Sequence, residues 1–237
     1  MVAAIPCRAE VKATCFHSIS YALLEAADWW KKLHGPDAKF GLCVVERAHI
    51  VDARLAMLDA ALESKTDYLW WIDDDMTIPE KCAQRLYENM KAQDAALSGA
   101  LCYRRGEPYG PCAFTGKRHA VTGKPLQLHP KPERVAEVEA TGFACLMMDV
   151  AKASAVHDLT GGAPFLYQKG TGEDAYYCGQ ARRLGHRIIV DTGLVPGHIG
   201  NINYDGKMFE QILLERPELA ANMEPMGSPT EAELNQP

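Results

Sequence analysis

The chain's 237 residues suffice for one large domain or two small ones with a full core, and 47% hydrophobic and 24% charged residues are an ordinary globular balance. A formal net charge of -6 argues against broad electrostatic capture of nucleic acid or of an anionic membrane, though not against a local basic groove. The start MVAAIPCRAE has neither the charged end nor the apolar centre of a signal peptide, and no apolar run approaches the roughly 20 residues of a membrane helix. A soluble cytoplasmic protein without membrane insertion is expected. The eight cysteines are scattered with no CxxC pair, so buried free thiols in a reducing compartment are expected rather than a zinc site or a disulfide framework.

Val2–Ile5 is a short apolar run stopped by Pro6 and reads as a buried strand. Lys12–Lys32 has helical apolar spacing and ends before His34-Gly35-Pro36, a strong stop. Phe40–Val45 reads as a second strand, and Ile50–Leu62 as a helix with Leu55, Leu58 and Leu62 on one side. Tyr68–Ile72 (YLWWI) is an unbroken apolar run, as in a central strand covered on both faces, and it breaks into Asp73-Asp74-Asp75. Trp70 and Trp71 read as core packing. Pro79 suits the first turn of a helix to about Gln93, and Ala95–Leu101 reads as a further strand.

Residues 103–132 are rich in Gly, Pro, Lys, Arg and His and predict loops with a short hairpin. Glu137–Met148 predicts two short strands around Thr141-Gly142, followed by a helix over Ala151–Leu159. Glu173–Leu184 predicts a helix capped at Gly185, Arg187–Asp191 a strand, and the loop after it holds His198. Residues 216–237 predict a flexible proline-rich tail. Strands alternating with helices imply a mainly parallel central sheet flanked by helices, an α/β fold whose ligands sit outside the carboxyl ends of the strands. The aspartate triplet falls at such an end.

Three adjacent carboxylates repel one another. In an extended chain Asp73 and Asp75 would point one way and Asp74 the other, so a pair at i and i+2 can share one hard cation that also binds phosphate oxygens. An acidic turn capping the next helix is the plainer alternative, but one aspartate would serve for that. Glu173 and Asp174 are either favourable first-turn acids or part of a site. His198, in Pro196-Gly197-His198, is either a loop histidine or a ligand.

The segment YLWWIDDDMTIPE resembles the strand-DxD-loop-Pro segment of GT-A fold glycosyltransferases, particularly the family 2-like group. Thr171-Gly172-Glu173-Asp174 resembles that group's acidic motif at the acceptor-side helix, His198 its late histidine, and Val2–Ile5 with Pro6 its opening strand and nucleotide loop. The resemblance runs over residues 1 to about 205 in the expected order. It implies a GT-A type, Rossmann-like domain over 1–215, with a nucleotide-sugar half at about 1–102 and an acceptor half at about 103–215.

The same resemblance implies a hexosyl- or pentosyltransferase that uses Mn2+ or Mg2+ and moves a sugar from a nucleoside diphosphate to an acceptor hydroxyl, with inversion. Asp75 would then lead the metal ligands, with Asp73 assisting or facing the nucleotide, Asp74 on the nucleotide side, and His198 on the metal or diphosphate. Asp174 would be the catalytic base, with Glu173 orienting or substituting. Pro6 and Arg8 would lie on the nucleotide loop. Arg54 would bind diphosphate, fix Asp75 through a bidentate pair, or make a plain ion pair. Tyr103, Arg104 and Arg105 would lie near the donor sugar, and Gly142-Phe143 under the acceptor.

Pro6-Cys7-Arg8 lacks the family's small polar run, so the base of the nucleotide is not readable. The acceptor is open among a glycan, a protein, a small molecule and a modified DNA base, and homo-oligomer formation is also open. Two other functions compete. A nucleotidyltransferase would need a glycine-rich phosphate loop that the opening segment does not supply. A non-catalytic nucleotide-sugar or carbohydrate-binding module would have lost the DxD or the base, and both are present.

Overall fold

The computed structural model describes residues 1–224 apart from 9, 107, 108, 132, 169, 201 and 202. In chain order the main elements are β1 (Val2–Cys7), α1 (Ala13–His34), β2 (Gly41–Glu46), α2 (Ile50–Glu63), β3 (Tyr68–Ile72), β4 (Met76–Thr77), α3 (Cys82–Gln93) and β5 (Leu97–Ala100). There follow β6 (Ala113–Arg118), β7 (Pro125–Gln127), β8 (Val135–Glu137), β9 (Ala140–Thr141), β10 (Cys145–Asp149), α4 (Val150–Leu159), α5 (Glu173–Arg183), β11 (Ile188–Asp191), β12 (Gly197–Ile199), β13 (Asn203–Tyr204) and α6 (Gly206–Glu215).

Seven strands make the central sheet, in the order β2-β1-β3-β10-β5-β11-β8. Five of the seven run in one direction, and β10 and β8 oppose them. The sheet is therefore mainly parallel, with β10 as an antiparallel strand inserted between β3 and β5. The unbroken apolar run of β3 has a direct cause. Leu69 and Trp71 enter the core shared with α2, α4 and α5, while Trp70 and Ile72 enter the opposite core under α1 and α3. Both tryptophans are fully buried.

Two short sheets carry the site. β4 pairs antiparallel with β12, His198 opposite Met76, and the Ile199 N–H donates to the Asp75 carbonyl at 2.7 Å. The segment holding His198 is thus a strand rather than a free loop, and this ladder fastens it to the aspartate turn. β6 pairs with both β7 and β9, which is the hairpin expected in the middle of the chain.

Local differences from the sequence reading have physical causes. Pairing of β1 with β3 ends at Ala4, while pairing with β2 continues through Pro6 and Cys7, so the proline is accommodated inside the strand. Helix α3 starts at Cys82 rather than at Pro79. Ser18 Oγ accepts from the Ile78 N–H at 2.8 Å, and Lys81 takes a left-handed φ of 55° just before the helix. Helix α6 was not expected; Asp205 caps it, accepting from the Met208 N–H at 3.0 Å, and Phe209 is buried. Of the expected tail, residues 217–222 form a short 3-10 helix with Leu219 buried, and 225–237 lie outside the described residues.

All eight cysteines are free, five buried and three partly exposed. Among the described residues no helix is long and apolar enough to cross a membrane.

Candidate active site

A cavity of about 690 Å³ opens beside the carboxyl ends of β1, β2 and β3, where ligands of open α/β sheets are expected. Pro6, Arg8, Arg54, Asp73, Asp74, Asp75, Glu173, Asp174 and His198 all line it. Residues from both ends of the chain meet here for a topological reason. The first residue of β10, Cys145, pairs with the last of β3, Ile72. Gly142-Phe143-Ala144 therefore stands beside the aspartate turn, and the Asp73 N–H donates to the Ala144 carbonyl at 2.9 Å. Through β9 and β6, Gly142 donates in turn to the Cys112 carbonyl at 2.8 Å.

The three aspartates have separate partners. They sit in a turn after β3, so the turn rather than strand alternation divides them. Asp73 Oδ1 accepts from Arg54 Nη2 at 3.1 Å, and Asp74 Oδ2 accepts from the Arg8 backbone N–H at 2.9 Å. Asp75 Oδ2 pairs with Arg105 Nη1 at 2.8 Å, and its Oδ1 faces His198 Nε2 at 3.2 Å. Burial, with Asp75 and Glu173 nearby, raises the Asp73 carboxyl above its ordinary value against the pull of Arg54. Burial would raise Asp75 too, but His198 and Arg105 outweigh it and hold that carboxyl low.

Arg54 ties the halves of the site together. It is 3% exposed, and its Nε donates to Glu173 Oε1 at 3.3 Å while Nη2 holds Asp73. Its guanidinium lies 5.4 Å from the Trp71 ring centre and 5.5 Å from that of Phe143. The aromatic residue at the end of β3 thus helps fix the arginine. Nη1 is buried with no hydrogen-bond partner. Of the roles expected for Arg54, fixing Asp75 is not the one seen; Arg105 pairs with Asp75.

Asp174 lies at the start of α5, where its Oδ1 accepts from the Ala175 N–H at 2.6 Å. Burial first, then the neighbouring Glu173, pushes its carboxyl up to about 6. Glycines make room for it: a Cβ on Gly172 would stand 2.9 Å from Oδ1, and one on Gly142 3.7 Å from Oδ2.

Asp75 and His198 are the residues in this cavity that could hold a divalent cation. His198 Nδ1 is 2.7 Å from the Tyr103 carbonyl, so that nitrogen carries the proton. Nε2 then faces Asp75 Oδ1, a buried oxygen with no other partner. Burial would lower the His198 imidazole, but Asp75 outweighs it and raises it above its ordinary value, so a proton is shared between the two atoms unless a cation replaces it. Their 3.2 Å separation is close to the ~3 Å between adjacent ligands of a hard cation bound at ~2.1 Å. Among the described residues no group of three metal-binding side chains is present. Mg2+-like ions commonly take only one or two carboxylates and complete their shell with water and phosphate.

Arg104 does not join the cavity; its guanidinium lies 5.6 Å from the Phe114 ring centre. The neighbouring Arg105 lines it instead, as do Arg47, His49 and Tyr167, which the sequence reading did not single out. His49 and Tyr167 contact each other, ring centres 5.5 Å apart. Neither has a sequence signal of its own.

A mainly parallel sheet with helices on both faces and an acidic turn at its strand ends is the GT-A architecture of glycosyltransferases. The family described as Glycosyl transferase family 2 matches residues 26–146, and the chain belongs to it. That span holds Arg54 and the aspartate triplet, whereas Asp174 and His198 lie beyond it. No curated protein matches.

Among solved structures, the chain is similar to one titled "Crystal Structure of A197 from STIV" (TM-score 0.56, 16% identity, covering 84% of this chain and 86% of that one). It is also similar to one titled "Crystal structure of GalNAc-T7 with UDP, GalNAc and Mn2+" (TM-score 0.55, 12% identity, covering 99% of this chain). The match spans 53% of the latter chain. At these identities the likeness establishes the GT-A fold.

Proposed function

We propose that this glycosyltransferase moves a hexosyl or pentosyl group from a nucleoside diphosphate sugar to an acceptor hydroxyl, with inversion, using Asp174 as base and Mn2+ or Mg2+ held by Asp75 and His198. One observation carries the reading. Asp75, whose buried Oδ1 faces His198 Nε2, and Asp174, whose carboxyl is raised to about 6, line the same cavity. A base is most effective when its pKa lies near the working pH, and Asp174 meets that condition. When bound, the cation would offset the charge of the departing diphosphate, so no acid is needed to protonate it.

The chain's own residues take the remaining tasks. Asp73 assists at the cation or faces the nucleotide, and Arg54 bridges Asp73 and Glu173 in the cavity wall on the diphosphate side. Glu173, engaged by Arg54, orients rather than accepts. Pro6, Arg8 and Asp74 form the nucleotide side, with Asp74 fixing the loop through the Arg8 N–H. Residues 1–215 act as one catalytic domain, 1–102 serving the donor and 103–215 the acceptor, which carries a hydroxyl on a glycan, protein, small molecule or modified DNA base. The GalNAc-T7 structure with UDP, GalNAc and Mn2+ supports this donor and cation chemistry by analogy of fold.

The test is a panel of nucleotide-sugars assayed with Mn2+ and candidate acceptors. Release of nucleoside diphosphate is expected. Pyrophosphate as product would indicate nucleotidyl transfer, and binding without turnover across the panel would indicate a binding module.

A further inference from the structure

Asp75 has a resident cation of its own. Its Oδ2 is held by Arg105 Nη1 at 2.8 Å, a charge-assisted contact at full strength. Its Oδ1 is the buried oxygen that faces His198. One oxygen of the carboxylate is thus neutralised by a guanidinium, and a divalent ion on Asp75 would sit next to that like charge. Arg105 is suited to leave. Its side chain is 40% exposed, and it precedes Gly106, which has open space around it. It also lines the cavity, so a released guanidinium stays within the donor region.

We propose that Arg105 competes with the divalent cation for Asp75 and, once displaced, pairs with the diphosphate that arrives with that cation. Arg105 is then a positioning residue that couples two binding events. It weakens capture of the cation alone and strengthens capture of the cation together with diphosphate. The protein would load its donor complex in preference to free metal. This proposal rests on the metal assignment to Asp75 made above.

The experiment is a titration of the full chain with Mn2+ alone, followed by electron paramagnetic resonance of the free ion, then with inorganic pyrophosphate at saturating Mn2+. Arg105→Gln should bind Mn2+ alone about two- to fivefold more tightly than the unaltered protein, the effect of removing one part-exposed ion pair. At saturating Mn2+ it should bind pyrophosphate about five- to tenfold more weakly. Arg105→Lys, which keeps the charge, should stay near the unaltered protein in the Mn2+ titration. A merely structural role for Arg105 would lower both affinities together.

Unchanged or weaker Mn2+ binding by Arg105→Gln overturns the proposal, as does no measurable Mn2+ binding by either form. Asp75→Asn separates this failure from that of the underlying reading. If Asp75→Asn binds Mn2+ as the unaltered protein does, the metal assignment falls and the proposal with it. If Asp75→Asn loses Mn2+ while Arg105→Gln gains nothing, only the competition is refuted.

Discussion

Replacing Asp174 by Asn tests the proposed base through two quantities that move in opposite directions. Asparagine is nearly isosteric and can keep the hydrogen bond from the Ala175 N–H through its own oxygen. What it removes is the ability to accept a proton and the cost of a buried charge. The Asp174 carboxyl titrates at about 6 in the fold, against an ordinary value of 3.8. The native protein therefore binds this proton more tightly than the unfolded chain does. Ionised Asp174 opposes folding above about pH 6, and that penalty fades as the pH falls towards 4. A displacement of about two pH units is worth roughly 2–3 kcal/mol at pH 7.5. At roughly 2–4 °C per kcal/mol for a domain of this size, Asp174→Asn should melt about 4–12 °C higher at pH 7.5. Near pH 4 the difference should shrink to about 1–2 °C. In the same protein kcat should fall by about 10²–10⁴. The unaltered enzyme should lose kcat as the pH drops through about 6. Differential scanning fluorimetry across pH and a nucleoside diphosphate release assay measure both. A variant within tenfold of full activity, or a stability gain equal at pH 4 and 7.5, refutes the reasoning.

The remaining predictions probe the support around that acid. Gly172→Ala meets no backbone barrier, since φ is -72° and ψ 168°, but its Cβ would stand 2.9 Å from Asp174 Oδ1. It should lower kcat about tenfold with KM and Tm little changed; an unaltered kcat would mean that the carboxylate position is not critical. Asp75→Ala should abolish the Mn2+-dependent rise in Tm seen with a nucleotide-sugar, measured by the same fluorimetry, and a persisting rise would sink the metal assignment. Arg54→Leu should cost roughly 3–5 kcal/mol in urea unfolding, because it strands Asp73 and Glu173 without their shared cation. A loss below about 1 kcal/mol would show that the guanidinium is not a structural hub.

Most of the fold was legible because the signals were local. The two-sided burial of β3 leaves no alternation to find, and an unbroken apolar run is what it must look like. Strand direction is not a local property. Cys145–Asp149 is as apolar as a parallel strand would be, and only its pairing with both β3 and β5 reveals that it runs against them. The short β4–β12 ladder was hidden for a similar reason, since two or three residues carry no period. Helix α6 was readable in principle: Asp205 as cap and Phe209, Ile212 and Leu213 at helical spacing give the usual signature, although the prolines that follow draw attention away from it.

In the site, residue type could be read but not partner. Sequence distinguishes an arginine pair after β5 from other residues, yet the turn decides that Arg105 reaches Asp75 while Arg104 lies over Phe114. The same limit applies to the two acids that open α5, which look interchangeable as first-turn residues. Their surroundings separate them. Glu173 is buried and held by Arg54 at 3.3 Å, so its carboxylate is already committed to a cation. Asp174, one residue on, has no ion pair among the described residues and rests against a backbone N–H in a space cleared by two glycines. Neighbouring acids with divergent environments mark a division of labour between them. Here Arg54 keeps Glu173 occupied, and the negative charge of Glu173 helps raise the carboxyl of Asp174. The buried arginine also acts on the proposed base directly, its charge pulling the Asp174 carboxyl down against burial and Glu173, which no reading of the Glu-Asp pair alone could supply.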